Sequence, residues 1–360
     1  MYPAVFKHYL KLFRAIIGTL ALFAWATIAY AQLPAMQRIE LGGEDVRYPF
    51  AVFSNLTWGG DAQAVRKAVI VFHGMGRNAG GYFSTAQELL RASDGRDAET
   101  LVIAPQYFAT VDARRAEASG LPQWRGSRWN QGADAESWVR PLSSFQVIDD
   151  LLRVLMDAKR FPRLEHIVLA GHSAGAQLLH RYAVLNDVDG GAAATGKRIT
   201  YVIANPSSYL YLTPERPSGS GFAPYDTVVC PDYNQYRYGT DKLLRYAQGA
   251  GHANLFQRFA GRHVIYLLGS EDKDPNHTQL DRSCGAQAGG RHRLERGLNY
   301  IRYEQHLAIS GMILSRSAFE VIGVGHTQSR MFGSKCGVRL LFGLADESNA
   351  AGAACRDIPR

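Results

Sequence analysis

The chain has 360 residues, of which 46% are hydrophobic and 20% charged, a composition that excludes a disordered chain. Its formal charge of +8 is spread along the sequence with no dense Lys/Arg run and no nucleic-acid motif, so no nucleic-acid partner is expected. Lys7, Lys11 and Arg14 supply three of those charges and leave +5 beyond residue 31.

Residues 1–31 read as a targeting segment. A basic start is followed by an uncharged apolar stretch, Ala15 to Ala29, and by the small-x-small signal Ala29-Tyr30-Ala31. The apolar run is shorter than the ~20 residues a spanning helix needs. A cleaved signal is expected, with a secreted or periplasmic protein and no stable membrane association afterwards; an uncleaved N-terminal anchor is the alternative. Residues 32–360 are expected to be one enzyme domain with insertions.

After two short strands at 38–41 and 46–53, an expected antiparallel edge, comes Ala68-Val69-Ile70-Val71-Phe72. Such an unbroken apolar, β-branched run is what a strand buried on both faces looks like. It leads into His73-Gly74-Met75, and 80–92 read as a helix. Leu101 to Pro105 is a second buried strand, ended by the proline. Residues 106–142 have no clear period and read as a long loop carrying Trp124, Trp129 and Trp138. Ser143 with Gln146 predicts a capping box opening a helix that Phe161-Pro162 stops.

Next is Ile167 to Gly171, then Gly171-His172-Ser173-Ala174-Gly175 and an apolar helix. Strand, G-x-S-x-G turn and helix in that order predict a nucleophile elbow, with glycines where the tight turn leaves no space for a Cβ. A further strand spans 199–204. Residues 205–262, rich in Pro and Tyr, break the alternation and read as a cap-like insertion packed over the sheet's edge. Strands follow at 263–268 and, as the last, 319–324; helices at 291–308 and, as the last, 328–343. Strands alternating with helices predict an α/β fold with a doubly wound, mostly parallel sheet. Ligands of such sheets bind at the carboxyl ends of the strands.

Three strand ends carry chemistry besides Ser173: His73-Gly74, Gly269-Ser270-Glu271-Asp272, and Gly325-His326. A serine hydroxyl needs an adjacent imidazole to take its proton, and the imidazole needs a carboxylate to fix its tautomer. Ser173, Asp272 and His326 meet those needs in chain order. Glu271 and Asp274 are the competing acids; the Gly-x-x-Asp spacing favours Asp272. His73 and His172 read as structural, and histidines 252, 263, 277, 292 and 306 as surface or packing, without metal-ligand spacing. The aromatic residues of 124–138 and 205–246 either line a substrate pocket or anchor the long loops.

The four cysteines, Cys230, Cys284, Cys336 and Cys355, favour two disulfides in an exported chain. Of three possible pairings, Cys230–Cys284 with Cys336–Cys355 joins partners nearest in sequence and is the expected one. There is no C-x-x-C spacing, and neither metal nor cofactor is expected.

With these motifs, residues 65–343 resemble the α/β-hydrolase fold family, and within it secreted bacterial esterase- and depolymerase-like enzymes. The resemblance implies Ser173 as nucleophile, His326 as general base and then acid, and Asp272 as the orienting acid. It implies an oxyanion hole from the backbone N–H groups of Ala174 and Met75. The expected activity is hydrolysis of a small-molecule or polymer carboxylic ester. An amidase, a polyester depolymerase or an acyltransferase would use the same triad, and a non-catalytic binding module is the reading from another class. The sequence sets neither the acyl group nor an oligomeric state.

Overall fold

The Val69–Phe72 run owes its unbroken apolar character to position. In the computed structural model Ala68, Ile70 and Phe72 enter the core on one face of a central sheet, and Val69 and Val71 the core on the other. The structure describes residues 35–43, 46–93, 97–248, 254–308, 312–343 and 352–359. The expected targeting segment, 1–31, lies outside them. The strands and helices named below all belong to one unit, Met36–Arg360.

The strands of the central sheet are β1 (Gln37–Leu41), β2 (Tyr48–Ser54), β3 (Lys67–Phe72), β4 (Thr100–Gln106), β7 (His166–His172), β8 (Arg198–Ala204), β11 (His263–Gly269), β12 (Arg316–Val321) and β13 (Cys355–Asp357). Off the sheet, β5 (Phe108–Ala109) pairs with β6 (Gln123–Trp124), and β9 (Glu215–Ser218) with β10 (Gly221–Pro224). The spatial order is β1-β2-β4-β3-β7-β8-β11-β12-β13. The six strands from β4 to β12 are parallel, and β1, β2 and β13 pair antiparallel at the two sides. This is the doubly wound, mostly parallel sheet the alternation predicts.

Helices cover both faces, which lets the strands be apolar throughout. α2 (Ser144–Met156), α3 (Ala174–Leu185) and α4 (Arg293–Leu307) pack into one core. α1 (Ala79–Arg91), α5 (Gln328–Phe332) and α6 (Lys335–Phe342) pack into the other. Strand order reverses between β3 and β7, so their carboxyl ends flank the crevice where such sheets bind ligands.

Several local expectations need correction. Pro105 does not end its strand: β4 continues to Gln106, because pairing with β3 stops at Ile103 and Pro105 pairs with Val52 of β2 alone. Ser143 caps α2 by accepting from the Phe145 N–H (3.1 Å), but no capping box forms, because the Gln146 amide donates to Asp150 instead. That helix ends at Met156, ahead of Phe161-Pro162, in a turn closed by Asp157. The strand at 316–321 is not the last, since β13 pairs beside it. The last helix is two helices broken at Gly333-Ser334, with Ser334 capping the second.

Residues 205–262 also lie elsewhere than expected. They join β8 to β11, which are neighbours inside the sheet, so they cover an interior face between α3 and α4 rather than an edge. Tyr209 stacks on Tyr300 of α4 (centroids 4.6 Å apart, 15° between planes), and the Leu210 N–H donates to His180 of α3. Disulfides Cys230–Cys284 and Cys336–Cys355 tie this segment to the loop after β11, and α6 to β13. No helix among the described residues is long and apolar enough to cross a membrane.

Candidate active site

The elbow is built by close approach. A Cβ on Gly171 would lie 2.4 Å from the Gly175 carbonyl oxygen, and one on Gly175 would lie 2.3 Å from that of Phe72. The two glycines let the start of α3 pack directly onto the end of β3. Between them Ser173 is forced to φ 59°, ψ −117°, a conformation that costs a non-glycine residue roughly 1–3 kcal/mol. Its N–H donates to the Ala204 carbonyl at the end of β8 (2.9 Å), fixing the turn to the neighbouring strand.

Ser173, His326 and Asp272 come together from the ends of β7, β12 and β11. Ser173 Oγ lies 2.9 Å from His326 Nε2, and His326 Nδ1 lies 2.6 Å from Asp272 Oδ2. Ser173 and Asp272 are each 3% exposed. Burial depresses the His326 pKa below the ordinary imidazole value; Arg293 and His277 push the same way, while Asp272 raises it. Neither competing acid reaches the histidine: Glu271 pairs with Lys273 in solvent, and Asp274 accepts the Asn276 N–H.

Ala174 is the first residue of α3, so its N–H has no acceptor within the helix. The Met75 turn stands against the elbow: a Cβ on Gly74 would lie 3.5 Å from Ser173 Cβ. Arg77 holds that turn, donating to the Met75 carbonyl (3.1 Å) and pairing with Asp112 (2.6 Å). His73 braces it from below. Its Nε2 accepts the Tyr107 N–H, so Nδ1 carries the proton and donates to the Gly74 carbonyl. Burial brings the His73 pKa down to about 4, keeping the ring neutral in this bridging role.

Of four further residues at the site, three carry no mark that stands out in the sequence and the fourth, Asn205, is marked only by its place after a strand. Arg293, the fully buried first residue of α4, pairs with Asp272 Oδ1 at 3.3 Å through Nη1. Asn205, at φ 48°, accepts the Gly269 N–H (2.8 Å) and donates to the Gly325 carbonyl (3.4 Å), linking the loop of Asp272 to that of His326. It follows β8 directly, so the strand-end rule that locates the others points to it as well. His172 and His277 both lie against His326, with ring centroids 4.6 and 5.1 Å away. The expectation that His277 is surface or packing is thus incomplete, since the fold of the 272–283 loop brings it against His326. His172 is held neutral mainly by burial, and the positive groups near it add to that.

The aromatic loops behave as anchors. Trp124, Trp129, Tyr209 and Tyr211 are buried, and Tyr107 stacks on Trp129. Next to the elbow is instead a polar cleft of about 480 Å³, whose walls include Met75, Gln177, Ser207, Arg237 and residues 278–283. Among the described residues no group of three or more His, Cys, Asp or Glu side chains could hold a metal ion.

No family model matches the sequence, and no curated protein matches it. Solved structures do. The chain is similar to poly(aspartic acid) hydrolase-1 from Sphingomonas sp. KT-1, at 22% identity and TM-score 0.57 over 86% of this chain and 99% of that one. It is also similar to LpqC, a poly(3-hydroxybutyrate) depolymerase from Bordetella parapertussis, at 21% identity and TM-score 0.58 over 88% and 95%. At these identities the likeness is one of fold.

Proposed function

We propose that this chain of α/β-hydrolase fold is a serine hydrolase that cleaves carboxylic esters through an acyl-enzyme. The observation that carries the reading is the unbroken chain of contacts from Ser173 Oγ through His326 to Asp272. His326 Nε2 takes the hydroxyl proton as Ser173 Oγ attacks the ester carbonyl, and the Asp272 carboxylate stabilises the imidazolium that forms. The oxyanion is received by the N–H groups of Ala174 and Met75, and each donor of this kind contributes roughly 3–4 kcal/mol. His326 then protonates the departing alcohol, the Ser173 ester forms, and water activated by the same imidazole releases the acid.

The depressed His326 pKa supports the role of base, since the ring is neutral at the pH where it must accept a proton. The two disulfides support work outside the reducing cytoplasm. A second reading keeps the machinery and changes the bond: the two similar structures are named as hydrolases of a polyamide and a polyester, which favours a polymer chain as substrate. A panel of p-nitrophenyl esters, matching anilides and poly(3-hydroxybutyrate), each with and without an alcohol acceptor, tests both. The reading predicts ester cleavage well above anilide cleavage, lost in Ser173→Ala. Cleavage that persists in Ser173→Ala would overturn it.

A further inference from the structure

The polar cleft is linked to the triad through several residues. Gln177 lies one turn beyond Ser173 on α3, its N–H donating to the Ser173 carbonyl (3.0 Å). Ser207 Oγ accepts from Nε of Arg293, the residue paired with Asp272 (3.1 Å). The charge around the cleft is lopsided. Arg237 and Arg282 lie in its wall with Asp281, and Arg237 and Asp281 pair at 2.9 Å. Arg181, Arg293 and Arg296 stand behind the wall, each 1% exposed or less. The balance is five guanidiniums against three carboxylates, Asp272, Asp274 and Asp281.

Two of the buried cations have only neutral hydrogen-bond partners, and the carboxylate whose charge reaches both, Asp281, is already paired with Arg237. Arg181 donates to the carbonyls of Asn130 (3.0 Å) and Arg237 (3.3 Å), to Ser208 Oγ (2.8 Å) and to Gln177 Oε1 (3.5 Å). Arg296 donates to the carbonyls of Ser207, Asp281 and Gly290, and its Nη2 has no hydrogen-bond partner. Ser207, Asp281, Asn130, Gln177 and Arg237 all belong to the cleft wall, so both guanidiniums press their charge on it from behind. Burial lowers each to about 10, which leaves both cationic near neutral pH. Buried charge without a counter-ion of its own is costly, and in a cleft with low-dielectric walls it focuses a positive potential on the opening.

We propose that this cleft binds a carboxylate carried by the acyl part of the substrate, so that the ester presented to Ser173 is the half-ester of a dicarboxylic acid or an acyl unit ending in a free acid. The placement of the ester rests on the serine hydrolase reading; the anion site does not. The test is a pair of near-isosteric ligands, monomethyl glutarate and methyl 5-oxohexanoate, titrated by NMR into the Ser173→Ala protein. Binding of the anion at least tenfold tighter at 50 mM salt, with the advantage shrinking at 500 mM, is the expected result. Arg282→Gln, a change at an exposed position, lowers the ratio several-fold; Arg291→Gln, at an exposed position just before α4 and paired with Glu295, leaves it unchanged. Equal binding of the two ligands, or a ratio that falls equally in both variants, overturns the proposal. Hydrolysis of p-nitrophenyl acetate by the wild-type protein reports separately on the serine hydrolase reading, so each can fail without the other.

Discussion

Removing the Arg293 guanidinium probes the site at its most buried ion pair. Arg293 and Asp272 are 0% and 3% exposed, with Nη1 and Oδ1 3.3 Å apart. At an effective dielectric of ~20 that separation corresponds to a gross attraction of about 5 kcal/mol. Breaking a buried pair by deleting one partner costs roughly 3–5 kcal/mol, because the other charge stays behind. In Arg293→Met the Asp272 carboxylate keeps His326 as partner, so the lower end applies: a stability loss of about 3 kcal/mol in guanidinium unfolding. The second effect is on His326, the proposed base. Burial depresses the His326 pKa, and the positive charge of Arg293 adds to that depression. Since the imidazole must be neutral to act, the acidic limb of kcat/KM in the wild type falls below the ordinary value of about 6.5. Losing Arg293 removes one depressing charge, so the limb moves to higher pH and the variant loses more activity at pH 6 than at pH 8. Arg293→Lys, which keeps the charge, holds the limb near its wild-type place. An unmoved limb in Arg293→Met with a stability loss under about 1 kcal/mol would refute the assignment of Arg293 as a positioning residue.

Other parts of the molecule give sharp expectations. Gly175→Ala drives a methyl against the backbone oxygens of Phe72 and His73, at 2.3 and 2.7 Å, and should lower stability by about 1–3 kcal/mol with a parallel loss of activity; differential scanning fluorimetry and an ester assay read both. Asp149, enclosed by the Tyr182 and Tyr246 hydroxyls, has its pKa raised to about 6, chiefly by burial. Its folded value lies above the unfolded one of about 4, so its stability contribution is full below pH ~4 and lost as pH rises through 6. Asp149→Asn should therefore gain on the wild type by up to about 3 kcal/mol between pH 4.5 and 7 in guanidinium titrations. Cys355→Ser opens a bridge closing 19 residues and should cost about 3 kcal/mol, with peptide mapping of unreduced protein showing the Cys230–Cys284 bond intact.

Much of the fold and the meeting of Ser173, His326 and Asp272 is legible in the sequence because the signals are local. The Ala68–Phe72 and Ile167–Ala170 runs are apolar because helices cover both sides of the sheet, and the Gly171–Gly175 spacing marks a turn packed tightly on itself and on the end of β3. Ser173, Asp272 and His326 are legible because each lies within five residues of the carboxyl end of its own strand. Arg293 is not: it follows no strand, and its link to Asp272 arises only when the 272–292 loop folds back. The same loop carries His277 to His326, which no spacing in the sequence announces. The place of 205–262 escapes the sequence because strand order is a long-range property. Nothing local tells that β8 and β11 are neighbours, so the tyrosines connecting them could not be assigned to an interior face. Helix ends depart from expectation where side chains choose other partners, as Gln146 chooses Asp150.

The central claim is that Ser173 is a nucleophile activated by His326. Labelling the folded protein with a fluorophosphonate and mapping the adduct by peptide mass spectrometry tests it directly. One adduct is expected, on Ser173, formed at least ~100-fold more slowly in His326→Ala, in keeping with the contribution of a positioned base. An unlabelled folded protein, an adduct elsewhere, or labelling at Ser173 that does not depend on His326 would contradict it.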